Sequence, residues 1–252
     1  MIQFMGKTFS WLLALAIFIG SCSEKEDTPV GNLELTIKGR FGQSPLVMGK
    51  EYDFFDGSKI YFTRSEFFLS RIKLRTPSGK IVSLSSNVRF VNLQDHHFNV
   101  ENAEKGFTLI FDKIEAGNYD RFSFGIGVPP ELNTKTPKDF PTTNPLSDGI
   151  HYWSGWNSYI FSKTEGSISN GAQHELFAYH SGFNDAYEEQ YFDQNIVIEE
   201  GKTTKLVMEF DHKALFGDLS NYIDIYKDPV IHEGKDFMSV FMAYFRSALR
   251  IQ

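Results

Sequence analysis

Apolar side chains recur at every second position along most of this chain, and that period limits the fold more than any other feature. Leu33, Leu35 and Ile37 share one parity, and Phe122, Phe124, Ile126 and Val128 line one face of a later run. Successive side chains of an extended strand point to opposite faces, so each run predicts a strand with one buried side. The same reading covers Val88–Leu93, Phe107–Phe111, Ser158–Ser162, Leu176–His180, Ile196–Ile198 and Lys205–Phe210. Ser70, Ile72 and Leu74 lead into Pro77-Ser78-Gly79, with Ile81 and Leu84 beyond, which predicts a hairpin. Short strands spaced by turn residues predict an all-β chain, an antiparallel β-sandwich. The 25 phenylalanines suit aromatic pairing across its strands.

Two segments depart from this period. Met238, Phe241, Met242, Phe245 and Leu249 follow helical spacing, which fits a short C-terminal helix, although the same segment also fits a last buried strand, while Lys213–Leu219 fits a single helical turn. Pro129–Gly149 carries five prolines and few apolar residues. Proline lowers the entropy lost on ordering, so this segment is expected to be an ordered loop over one end of the sandwich. It delivers the chain to His151, Tyr152, Trp153 and Trp156.

The N-terminus sets the expected compartment. Trp11–Ile19 is apolar but short of the roughly 20 residues a membrane-spanning helix needs. Ile19-Gly20-Ser21-Cys22 resembles a bacterial lipobox, so residues 1–21 are read as a lipoprotein signal peptide. Cys22, the chain's one cysteine, is the expected lipidation site. Residues 22–32 read as a flexible acidic tether and resemble, loosely, the surface-export signal of Bacteroidetes lipoproteins. Residues 33–252 form the expected domain. Cleavage removes Lys7, so 25 basic residues become 24 against 32 acidic ones, a formal charge of −8. That balance argues against nucleic acid. The expected partners are a membrane, through the lipid on Cys22, and an unidentified envelope protein. The expected location is the outer membrane, facing the periplasm or the cell surface.

Catalytic motifs are scarce. The chain has no Gly-x-Ser-x-Gly elbow, no phosphate loop and no dinucleotide fingerprint, and it is not read as an enzyme. With no cysteine left after Cys22, a transition metal would have to use imidazole and carboxylate. Of seven histidines, His96 and His97 fall in a polar turn that favours exposure. His180 ends an apolar strand at a Ser-Gly turn, where an imidazole can reach the rim of a sandwich. His232 lies in a loop before the C-terminal apolar stripe.

Gly125-Ile126-Gly127-Val128-Pro129, then Asn144-Pro145-Leu146, Tyr152-Trp153-Ser154-Gly155-Trp156-Asn157-Ser158-Tyr159-Ile160-Phe161 and Glu165-Gly166, together resemble the MbnP-like domain family. Phe67 to Leu74, Phe177-Ala178-Tyr179-His180-Ser181-Gly182 and Ala214-Leu215-Phe216 with His232 extend the resemblance over roughly Leu33 to Ile251. Ser158 stands where the family usually has glycine. The resemblance implies a secreted or surface β-sandwich. It also implies copper, which some members bind through histidines and a tryptophan oxidised to kynurenine. The implied copper ligands are His180 and His232. His151 is added because it stands two residues before Trp153. Tyr152, Trp153 and Trp156 form the expected aromatic site, which holds a modified tryptophan or stacks on a ligand. The alternative reading is a metal-free surface module that recognises a glycan or protein partner through Tyr152, Trp153 and Trp156.

Overall fold

The computed structural model describes residues 28–231 and 235–252, together with Met1. Cys22, the expected signal peptide after Met1, the tether as far as residue 27, and His232 lie outside the described residues. In chain order the first strands are β1 Val30–Phe41, β2 Ser44–Pro45, β3 Tyr52–Asp53, β4 Lys59–Arg75, β5 Ile81–Ser83 and β6 Arg89–Asn92. Helix α1 Val100–Lys105 precedes β7 Phe107–Glu115 and β8 Gly117–Ile126. Helix α2 Pro130–Asn133 opens the long loop, which ends at β9 Tyr152–Trp153. Then follow β10 Ser158–Ser169, β11 His174–Gly182, β12 Glu188–Ile198, β13 Thr203–Asp211, β14 Val230–Ile231, helix α3 Lys235–Ser247 and β15 Leu249–Ile251.

These strands build the expected sandwich. One five-stranded sheet runs β15-β13-β1-β2, with β7 also on β1. A ten-stranded sheet runs β12-β8-β4-β10-β11-β14, with β3, β5 and β6 on β4 and β9 on β10. Most pairings are antiparallel, but β1 with β13 and β11 with β14 are parallel. The sheets meet through aromatic rings: Phe67 of β4 lies 5.4 Å from Phe210 of β13, edge-on. Leu33, Leu35 and Ile37 are fully buried on the facing sheet, as their shared parity requires. Helix α3 closes one end. Met238, Phe241, Met242 and Phe245 are buried, with Phe245 4.5 Å from Phe210. The predicted helical turn is the single 3₁₀ turn Ala214–Phe216.

The long loop is ordered, but it lies across the outer face of the large sheet rather than over an end. β4 is buried without interruption from Ser65 to Ser70, and β10 from Ser158 to Thr164. Strands buried on both faces need a cover on each. The small sheet covers one face and the loop covers the other. Asn133 of α2 accepts from the Tyr159 amide at 2.8 Å and donates to Ser158 Oγ and Asn184 Oδ1, both at 3.0 Å. Tyr159 Oη donates to the Leu146 carbonyl at 2.8 Å, and Leu146 is fully buried.

The adjacent histidines differ from expectation. His96 is exposed, but His97 is fully buried. The His97 ring closes a gap between β1 and the turn after β6. Nε2 accepts from the Gly39 amide at 2.9 Å, which leaves Nδ1–H to donate to the Leu93 carbonyl at 3.0 Å. A polar turn keeps one ring outside and lends the other to the core as a backbone partner.

Candidate functional site

Four strands bring one polar row onto the outer face of the large sheet. Asn92 of β6 stands opposite Glu66 of β4, Glu66 opposite Lys163 of β10, and Lys163 opposite His180 of β11. Residues directly opposite in antiparallel pairs share a face, so register alone aligns these side chains. Lys163 Nζ lies 3.2 Å from Glu66 Oε1 and donates to the Ile150 carbonyl at 3.0 Å. Both side chains are buried under the long loop.

At the β11 end of the row, His180 Nε2 is 2.7 Å from Glu165 Oε1, and Arg64 Nη1 donates to the same oxygen at 3.3 Å. The hydrogen bond from His180, together with Arg64, holds the Glu165 carboxyl below its ordinary range despite partial burial. An ionised carboxylate only accepts, so His180 donates from Nε2. Beyond His180 the sheet continues into β14, parallel to β11, with Ala178 beside Val230 and Tyr179 beside Ile231. The Ala178 amide donates to the Pro229 carbonyl at 2.9 Å, and Tyr179 Oη donates to the Asp228 carbonyl at 2.7 Å. In sequence, His180 directly follows Tyr179 and His232 directly follows Ile231.

His151 occupies a different neighbourhood. It ends the 3₁₀ turn Gly149–His151 and is 4% exposed. Its ring packs 4.4 Å from Phe90 of β6 and 5.3 Å from Phe68 of β4, with Nδ1 3.7 Å from Glu66 Oε1. Burial, reinforced by the Lys163 ammonium, pushes its pKa down to about 4, so the ring is neutral at neutral pH. Lys163 and Glu66 fill the sheet face between His151 and His180. Among the described residues no three histidine, cysteine, aspartate or glutamate side chains are grouped to hold a metal.

The tryptophans form a stack at the tip of a short hairpin. β9 pairs Trp153 with Ser158 and Tyr152 with Tyr159. Asn157 takes the left-handed conformation in the turn, φ 50°, and its Oδ1 accepts from Tyr152 Oη at 2.7 Å. The Trp153 and Trp156 rings are 4.6 Å apart at 31°, and Phe183 continues the stack 4.9 Å from Trp156. Both tryptophans are half-buried. Trp156 lies on Gly182, where a Cβ would come within 2.8 Å of its ring. Gly182 is two residues past His180 on β11, about 7 Å along the strand. The aromatic stack and His180 therefore share one strand end.

Sequence reasoning missed Glu66, Lys163 and Arg64, and quoted Glu165 only within a motif, without a role. The available signal was a charged residue flanking each of two apolar runs, Glu66 just before Phe67-Phe68-Leu69 and Lys163 two residues after Phe161. A buried charge must find a partner, and these two found each other.

Comparison with curated proteins finds no match. Among solved structures, MbnP from Methylosinus trichosporium superposes with a TM-score of 0.52, covering 81% of this chain and 81% of that one. At 10% identity that likeness is one of fold. The MbnP family model matches residues 30–233, from the first strand to the segment just after β14. The chain therefore belongs to the MbnP family.

Proposed function

We propose that this protein is a copper-binding lipoprotein of the bacterial cell envelope, with His180 and His232 as ligands. The observation that carries the reading is the carboxylate-held imidazole of His180. Metal-binding histidines commonly donate their second ring N–H to a carboxylate, which fixes the tautomer and raises ligand basicity. Glu165 stands in that relation to His180 at 2.7 Å. The parallel β11–β14 pair supports the choice of His232, because the residue before each histidine is in that pair. Imidazole donors suit copper, and the chain offers no thiolate beyond Cys22. When bound, copper would supply an electron-accepting or electron-donating centre near Trp153 and Trp156. His151 is left out of the ligand set, since its ring rests on Phe90 and Phe68 across the Glu66–Lys163 pair.

The metal-free alternative is favoured by one observation, the half-buried stack of Trp153, Trp156 and Phe183, which offers a face to a sugar ring or an apolar partner. Copper titration of the mature chain separates the two readings. His180→Ala is expected to weaken copper binding at least about 100-fold, and His151→Ala to leave it within about threefold. Unchanged affinity in His180→Ala, with loss of glycan or protein binding in Trp153→Ala, would favour the alternative.

The lipid anchor is likewise a proposal. Among the described residues no helix is long and apolar enough to cross a membrane. Cys22→Ser is expected to move the protein from the membrane fraction to the soluble fraction with its thermal stability unchanged. A variant that stays with the membranes contradicts the lipobox reading.

A further inference from the structure

A groove of about 330 Å³ lies between the long loop and strand β6, lined by Arg89 and Phe90 of β6, Leu109 of β7 and Thr143 of the loop among others. We propose that it binds a small organic carboxylate through Arg89, at a site separate from the copper site.

Among the described residues every arginine except Arg89 and Arg250 has a carboxylate partner. Arg250 is exposed, whereas Arg89 is half-buried. The Arg89 guanidinium is fixed in place: Nη2 donates to the Ile110 carbonyl at 3.0 Å, and Cζ stands 5.4 Å from the Phe111 ring centroid. Nε is occluded. Nη1 is not, and it has no acceptor among the described residues. The Asn87 and Thr143 side chains line the same groove at exposed positions, and neither has a hydrogen bond among the described residues. Strand β6 pairs with β4 alone, and the Leu93 amide just beyond it donates to the Ser65 carbonyl of β4. Hydrogen-bonding sides alternate along a strand, so the Phe90 amide points away from β4, to the free edge. The groove is therefore edged by a held guanidinium and by several further donors.

Charge selects the ligand. Among the described residues Arg89 is the one charged side chain lining the groove. The next cavity, across Phe90 and Pro145, balances Arg64 and Lys163 against Glu66 and Asp148, so Arg89 sets the local sign. An ammonium group would meet a like charge and no acid, and an alcohol would leave the guanidinium without a counter-charge. A carboxylate accepts from the planar guanidinium in a charge-assisted pair. Val88, Phe90, Leu109 and Pro145 supply apolar wall, which favours a carbon body over an inorganic anion. The volume lies near the lower end of the range for small-molecule sites, so that body is a few carbons long.

The test uses the mature chain in low-chloride buffer with four probes: butanoate, butylammonium, 1-butanol and inorganic phosphate. Calorimetry is expected to give butanoate a Kd of about 1 mM or tighter, and the other three binding at least about tenfold weaker. Arg89→Gln should abolish butanoate binding. Arg89 also packs on Phe111, so a second variant is made at the exposed loop position Thr143. Thr143→Asp sets a carboxylate in the groove and should weaken butanoate binding at least about tenfold, with the thermal midpoint unchanged. Copper affinity unchanged in both variants would show that the site is separate. No butanoate binding at about 10 mM, equal binding of any other probe, or butanoate affinity unaltered in Thr143→Asp would overturn the proposal.

Discussion

Taking the protein from pH 7 to pH 5 is expected to lower its folding stability by roughly 5 kcal/mol. Three imidazoles are buried in the neutral form: His97, His151 and His212. Burial pushes their pKa values down to about 4, about 4 and about 3. Hydrogen bonding fits two of them to the neutral form, and at His97 it bars a second proton in place. His97 uses Nε2 as an acceptor for the Gly39 amide. Of the His212 nitrogens, Nδ1 faces the Phe210 carbonyl at 3.1 Å and Nε2 faces Ser65 Oγ at 2.7 Å, so the ring donates on one side and accepts on the other. An unfolded histidine titrates near 6.5, so below that pH the unfolded chain takes up protons the folded chain refuses. The stability from these rings is fully present above about pH 6.5 and is lost as pH falls towards their folded values. Each ring contributes a slope of about 1.4 kcal/mol per pH unit, so three give roughly 4 kcal/mol per unit near pH 5. Typical domains have about 5–15 kcal/mol in total. The ion-paired carboxylates, such as Glu165 and Glu131, are held below their ordinary range and lose their contribution only at lower pH. Urea denaturation at pH 7, 6 and 5 should show the midpoint falling steeply, with a shallower fall in His212→Gln. A midpoint flat from pH 7 to 5 contradicts this account of the core.

The second large effect is at Gly166, in the middle of β10. β4 crosses so close that a Cβ here would lie 2.1 Å from the Tyr61 carbonyl oxygen and 2.7 Å from the Phe177 ring. Neither can yield cheaply. Tyr61 O belongs to the backbone of the longest strand, and Phe177 is 2% exposed in the core. The pairing also shifts register between Glu165 and Gly166, so the glycine sits at a bulge that re-aims the strand. Gly166→Ala is expected to cost at least about 3 kcal/mol, the upper part of the overpacking range. Gly149→Ala, where a Cβ meets nothing within 4 Å, should cost less than about 0.5 kcal/mol. Thermal melts of the two variants make the comparison, and equal costs would contradict the close crossing at β10.

The strand pattern was legible because one-sided burial leaves a two-residue signature. Leu33, Leu35 and Ile37 sit where their parity places them, and the α3 stripe closes an end as its spacing implies. The outer cover was harder to read. Phe68 and Glu66 lie on a face that alternation assigns to solvent, and only the loop folding back over β4 buries them. Nothing local to Pro129–Gly149 states which face it will lie on. That choice is made by Asn133 and Leu146 reaching Tyr159, residues distant in sequence. The polar row from Asn92 to His180 was invisible for a related reason: it exists only in the register of four strands. His180 was nameable from its place near a strand end, although β11 runs on through the expected Ser181-Gly182 turn, whereas its carboxylate partner Glu165 needed the β10–β11 pairing.

The central claim is that copper is held by His180 and His232 at the β11 end of this row. Pulsed EPR of the mature chain loaded with one equivalent of Cu(II) reads imidazole nitrogens on the metal directly. The account predicts coupling from about two imidazoles in the wild type, from one in His180→Ala or His232→Ala, and no change in His151→Ala. A wild-type spectrum without imidazole coupling, or one unaltered by loss of His180, would contradict it.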